Sequence, residues 1–202
     1  MSRVVEVPSS SSSENGKLLV ATAVSKSFGA EYAVNNLDFD LNFGEVHALL
    51  GPNGSGKSTF IKMLDGVQPQ DKGSIQITGR PRNSKDLATV FQELSLIPSL
   101  SVSQNIFLGN ELRNNVGLLN NRKMNGATKE LTNSLGLQVH PRELVENLSV
   151  ASRQLVEIAK AIHRNAKVLV LDEPTSTLTA NDRDLLFGSI REIRKTGVGI
   201  IY

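Results

Sequence analysis

The chain of 202 residues contains no cysteine. Disulfides and cysteine-ligated metal centres are therefore excluded, and the absence fits a reducing cytosol. Long apolar runs are missing too. No stretch approaches the roughly 18 residues of a membrane-spanning helix, and the N-terminus lacks the apolar core of a signal peptide. Nor is there an excess of one charge, because 22 Lys and Arg face 20 Asp and Glu, a net +2. That balance removes the electrostatic reason to expect nucleic acid as a partner. Aromatic residues make up only 4%. What remains, 39% hydrophobic and 21% charged residues, suits about one globular domain with a buried core.

Gly51-Pro52-Asn53-Gly54-Ser55-Gly56-Lys57-Ser58 matches G-x-x-x-x-G-K-[ST], the phosphate-binding P-loop or Walker A motif. Glycines let the backbone turn successive N–H groups toward one phosphate. Lys57 reaches the β- and γ-phosphates, and the Ser58 hydroxyl suits Mg²⁺. The context fits. Glu45 to Leu50 reads as a short buried strand, and Thr59 to Asp65 as a helix stopped by Gly66. A strand, a glycine loop and a helix start aim backbone amides and a helix dipole at one anion. Thr59 joins the nucleotide contacts as the residue following the motif.

Along the chain, Met1 to about Gly16 carries serine at every position from Ser9 to Ser13 and reads as a disordered tail. From Leu18 to Leu50 the pattern is β-rich, and Gly73 to Gly79 alternates as a further strand. From about Glu93 to about His163 the chain turns helical and polar. Val168-Leu169-Val170-Leu171 is a buried parallel strand by type. Leu185, Leu186, Ile190 and Ile193 recur at helical spacing before Gly197, and Val198 to Tyr202 opens another strand. The class is α/β.

A P-loop holds phosphate but needs partners for hydrolysis. Leu171-Asp172-Glu173-Pro174 supplies them: Asp172 stands like a Walker B aspartate that holds Mg²⁺, and Glu173 as the general base that polarises water. Adjacent carboxylates leaving a buried strand call for a cation or strong donors.

Together these residues resemble the ATP-binding cassette (ABC) ATPases over about Leu18 to Tyr202. The resemblance implies a RecA-like P-loop NTPase core with a β-rich N-terminal subdomain and an inserted α-helical subdomain, within an ATP-binding domain spanning 17–202. Pro174 to Thr179 looks like the family's D-loop. Val90-Phe91-Gln92-Glu93 looks like its Q-loop, which makes Gln92 a contact to Mg²⁺ and the attacking water. Phe28 occupies the position of the adenine-stacking aromatic; the bland alternative is a core Phe. Leu148-Ser149-Val150-Ala151-Ser152-Arg153-Gln154 stands where LSGGQ is usual, so Ser149 is expected to meet the γ-phosphate held by an opposite protomer. The alternative is a capped core helix, with Leu155, Ile158, Ala159 and Ile162 as its apolar stripe.

Val150, Ala151 and Ser152 depart from the usual signature, and each added side chain crowds the backbone's approach to phosphate. Val150, Val156 to Ala161, Gln92 to Pro98 and Asn105 to Gly109 resemble the ATPases of monosaccharide importers. That lineage implies ATP and Mg²⁺ as ligands, a second cassette, a transmembrane permease and, indirectly, a periplasmic or extracellular sugar-binding protein. It also implies a location on the cytoplasmic face of the membrane. The family's switch histidine is expected just beyond Tyr202. His47, His140 and His163 read as structural or surface residues, so the sequence resembles a C-terminally truncated first cassette. Two readings compete with a sugar-import ATPase: a nucleotide-binding module without useful turnover, and an ABC ATPase outside transport.

Overall fold

The structure, a computed structural model, describes residues 16–83, 86–90, 95–171 and 179–202. The serine-rich tail expected at the N-terminus therefore lies outside the described residues, apart from Gly16.

Two sheets organise the chain. Strands β1 (Lys17–Phe28) and β2 (Glu31–Asn42) form a long hairpin, and β4 (Lys72–Ile77) and β5 (Arg80–Pro81) extend it into an antiparallel sheet ordered β2-β1-β4-β5. The second sheet is parallel, ordered β3-β8-β7-β6, from β3 (Val46–His47), β6 (Leu87–Val90), β7 (Val168–Leu171) and β8 (Gly199–Ile201). Every residue of β7 is buried, as its unbroken apolar run predicts for an inner parallel strand. Its side chains alternate between two cores. Val168 and Val170 join the antiparallel sheet and Phe60, Met63 and Leu64 of α1 (Lys57–Asp65). Leu169 and Leu171 join the other helices.

Those helices are α2 (Val102–Phe107), α3 (Asn121–Ser134), α4 (Val150–His163) and α5 (Ala180–Lys195). The first three follow β6 in the stretch that reads as helical in the sequence. α4 carries the expected apolar stripe, with Leu155, Ile158 and Ala159 at 0–1% exposure. It shares one hydrophobic core with Leu169, Leu171 and Ile200 of the sheet, so the helical stretch is tied to the sheet rather than separately cored. α5 buries Leu186, Ile190 and Ile193, and Gly197 follows it at φ 88°.

One expectation needs correction. Glu45 to Leu50 does not form a buried strand: β3 spans only Val46–His47, both partly exposed. It ends the sheet order, with β8 as its one neighbour among the described residues. The pairing does run on, because the Leu49 N–H donates to the Tyr202 carbonyl at 2.7 Å. Leu50 is then 77% exposed where the chain leaves the sheet.

Candidate functional site

The P-loop leaves the end of β3 and enters α1. Gly66 closes that helix in a left-handed cap at φ 85°, its N–H donating to the Lys62 carbonyl. The other end is less usual. Its N-cap is Gly56 at φ 92°, with no side-chain cap and no acidic residue in the first turn. A helix start leaves four N–H groups without intrahelical partners, and here no side chain of the loop takes them. Gly56 is required twice over. Its φ belongs to the left-handed region, and a Cβ there would lie 2.2 Å from the Ala33 carbonyl oxygen of β2. Glycine alone meets both demands.

Lys57 turns back on its own loop. Its ammonium donates to the Gly51 carbonyl at 2.7 Å and the Pro52 carbonyl at 2.9 Å. An ammonium has three donors, so these bonds hold the loop in shape and leave one donor for a ligand. A cavity of about 540 Å³ lies over the loop, lined by Asn53, Gly54, Ser55, Gly56, Lys57, Ser58 and Thr59, with Ala33, Leu49, Leu50, Ile61, Leu171 and Tyr202. That volume matches a small-molecule site.

Of the other residues singled out in the sequence, Gln92, Asp172 and Glu173 lie outside the described residues. Leu171, immediately before Asp172, does line the cavity. Parallel pairing delivers the end of β7 to the same edge of the sheet as the P-loop, where α/β sheets bind ligands. Phe28 is not a core residue: it is 55% exposed at the end of β1, on the hairpin that carries Ala33. Ser149 caps α4, its hydroxyl oxygen accepting the Ser152 N–H at 3.2 Å and its O–H donating to Ser152 Oγ at 3.0 Å. Ala151 is 1% exposed and Val150 45%. Ser149 is not among the residues lining the P-loop cavity.

No histidine lines that cavity either. His47 Nδ1 sits 3.2 Å from Glu45 Oε1, and its ring meets Phe39 edge-on. His140 Nδ1 accepts from the Arg142 N–H, and His163 packs on Phe107 with ring centroids 4.2 Å apart. All three are structural or surface residues here, as the sequence suggests.

Sequence reasoning missed Ala33 and Tyr202. Nothing local marks Ala33, since its carbonyl meets Gly56 only because the β1–β2 hairpin folds over the loop. Tyr202 could have been found from register: His47 pairs with Ile201, which carries the next residue of each strand toward the loop. A larger recess, about 660 Å³, lies between β6 and the C-terminal half of α4. It has no glycine loop, and its Ser95, Glu157 and Lys160 are bonded to one another. The P-loop cavity has the phosphate chemistry. No helix among the described residues is long and apolar enough to cross a membrane.

Comparison with known proteins agrees with this architecture. The solved structure of cbiO1 from Clostridium perfringens, part of the ABC transporter complex cbiONQ, superposes with a TM-score of 0.78 at 24% identity, covering 92% of this chain and 77% of that one. A dimeric ATP-binding cassette in a post-hydrolysis state with ADP and Pi gives 0.72 at 23% identity, covering 91% and 86%. These likenesses show the α/β P-loop NTPase fold. The ribose import ATP-binding protein RbsA 1 of Streptomyces avermitilis is 44% identical over 92% of this chain and 37% of its own length. RbsA of Hahella chejuensis is 45% identical over 92% and 38%. The chain thus spans under two fifths of the length of the curated relatives it matches. The family model described as ABC transporter matches residues 34–176, most of the chain, and this protein belongs to that family.

Proposed function

We propose that this chain binds ATP with Mg²⁺ on the P-loop and, paired with a second cassette, hydrolyses it to drive sugar import through a membrane permease. The observation that carries the reading is the cavity joining the uncapped start of α1, the Lys57 ammonium and the end of β7. Loop amides and Lys57 neutralise phosphate charge in a preorganised cradle. Phe28 stacks on the adenine.

Ser58, Gln92 and Asp172 are the proposed Mg²⁺ donors. Oxygen donors suit that cation, and Ser58 is one of the residues that line the cavity. Held by these residues, the cation would supply positive charge against the charge that develops on the phosphates. Glu173 takes the proton of the attacking water, and Gln92 orients it. Residues 17–202 form the ATP-binding domain, with the helical subdomain at about 93–163 docking on the permease at the cytoplasmic face of the membrane. A sugar-binding protein outside acts through that permease. The names of the ribose import relatives support sugar as cargo.

Calorimetry tests the binding half. Lys57→Ala should weaken ATP binding at least tenfold while the chain stays folded, with only a small fall in melting temperature from the two lost loop bonds. In an assembled cassette pair, Glu173→Gln should keep ATP binding and lower turnover by about 10²–10⁴-fold, the usual contribution of a general base; unchanged turnover removes Glu173 from that role. A binding module without useful turnover is the second reading, favoured by the Ser149 hydroxyl already engaged with Ser152. Tight Mg-ATP binding with no phosphate release from the pair would select it.

A further inference from the structure

Strand β1 ends in an inversion of the usual burial rule. Lys26 is 8% exposed while Phe28, two residues on, is 55% exposed. Charged side chains are seldom buried without a partner, so it is the lysine of this pair that calls for a reason. The β1–β2 register shifts between Lys26 and Ser27, and the buried lysine and the exposed ring are neighbours there. Lys26 Nζ lies 5.8 Å from the Phe28 ring centroid, inside the range of a cation–π contact.

The lysine is itself held. Its ammonium donates to Asp71 Oδ1 at 2.5 Å. Asp71 Oδ2 accepts the Ser27 N–H at 2.8 Å and the Ser27 hydroxyl at 2.9 Å. One carboxylate thus grips both residues that precede Phe28. Asp71 follows α1 in the chain, and its own N–H donates to the Ser25 carbonyl at 2.9 Å. The segment leaving the P-loop helix is therefore pinned to the strand that ends in Phe28. The Lys26 hydrogen bond, then those of Ser27, hold the Asp71 carboxyl at a pKa of about 2, so it is ionised at every working pH.

We propose that Lys26 and Asp71 are positioning residues for nucleotide recognition: they fix the Phe28 ring, cover one side of it, and leave the other side for a purine base. This rests on Phe28 being the base-stacking residue. Fixing the ring in advance lowers the ordering cost of binding, and the tie through Asp71 keeps base platform and phosphate loop in register.

The test compares ATP with inorganic tripolyphosphate, which offers the P-loop the same phosphates and no base, by calorimetry on the whole chain. Lys26→Met and Asp71→Asn should each weaken ATP binding roughly three- to tenfold and leave tripolyphosphate binding unchanged. Lys26→Arg, which keeps the cation, should restore most of the ATP affinity. Asp71→Asn changes a partly exposed side chain and serves if the buried Lys26→Met fails to fold. Phe28→Ala separates the two layers of argument. If it leaves ATP affinity unchanged, the stacking role of Phe28 is wrong. If it weakens ATP binding while Lys26→Met and Asp71→Asn do not, the clamp is wrong. An equal loss for ATP and tripolyphosphate in either clamp variant also overturns the proposal, because the effect would then lie in the phosphate site or the fold.

Discussion

Helix α1 starts at a glycine that offers its first turn no side chain, whereas helix α4 starts at Ser149, whose hydroxyl accepts the Ser152 N–H. Ser101, Asn120 and Thr179 likewise cap α2, α3 and α5. A cap of this kind is worth about 1 kcal/mol, so α1 alone among the described α-helices forgoes it. The difference lies in what else can satisfy the amides. At α1 the N–H groups open into a cavity beside a lysine, an arrangement suited to phosphate. At α4 the hydroxyls of Ser149 and Ser152 already close the terminus upon itself. A γ-phosphate arriving there from a second cassette would have to displace part of that bonding and pass Val150. Of the two helix starts that the family resemblance leads one to expect at phosphate, one is built open and the other is closed.

The sharpest way to break the comparison is to give α1 a side chain. Gly56→Ala would put a Cβ against the Ala33 carbonyl at a left-handed φ. Strain and overpacking together should cost about 2–4 kcal/mol, a fall in Tm of roughly 5–15 °C, with ATP binding lost. Normal ATP binding by this variant would mean that the glycine loop does not form the cradle. The same approach at α4 should behave differently. Ser149→Ala should cost about 1 kcal/mol and lower Tm by roughly 2–4 °C, leave ATP affinity of a single chain unchanged, and weaken ATP-driven pairing measured by light scattering. If it lowers single-chain affinity, the two termini are not separate sites.

The smallest effect belongs to the far end of α4. Burial against Phe107, then the neighbouring Arg164 charge, holds the His163 imidazole pKa below its usual value. The fold therefore favours the neutral ring. The stability it contributes is present above the unfolded pKa, near 6.5, and is lost as pH falls through the lower folded value. Tm should fall on acidification from about pH 7.5 to about pH 5.5, and the fall should shrink in His163→Gln. An identical fall in the variant would assign the effect to other groups.

Much of this was readable from the chain. Gly51 to Ser58, the helix after it and the Gly66 stop depend on contacts a few residues apart, and local backbone chemistry dictates them. The apolar run of β7 and the stripe of α4 were legible for a similar reason, since burial on one or both faces leaves a periodic mark. The short, half-buried β3 was not, because its one-sided pairing follows from strand order. The buried Lys26 beside the exposed Phe28 was also invisible, since Asp71 reaches it from the far side of α1.

Sequence alone determined that a glycine loop flanked by strand and helix would form, with Lys57 and Ser58 at the start of that helix. Those are properties of adjacent residues, set by φ preference, capping and spacing. Tertiary structure decided that the Ala33 carbonyl makes Gly56 irreplaceable and that the end of β7 reaches the same cavity. It also decided that Lys26 and Asp71, far apart in sequence, meet beside the Phe28 ring. These facts depend on which distant segments pack together, and packing is settled by the whole core.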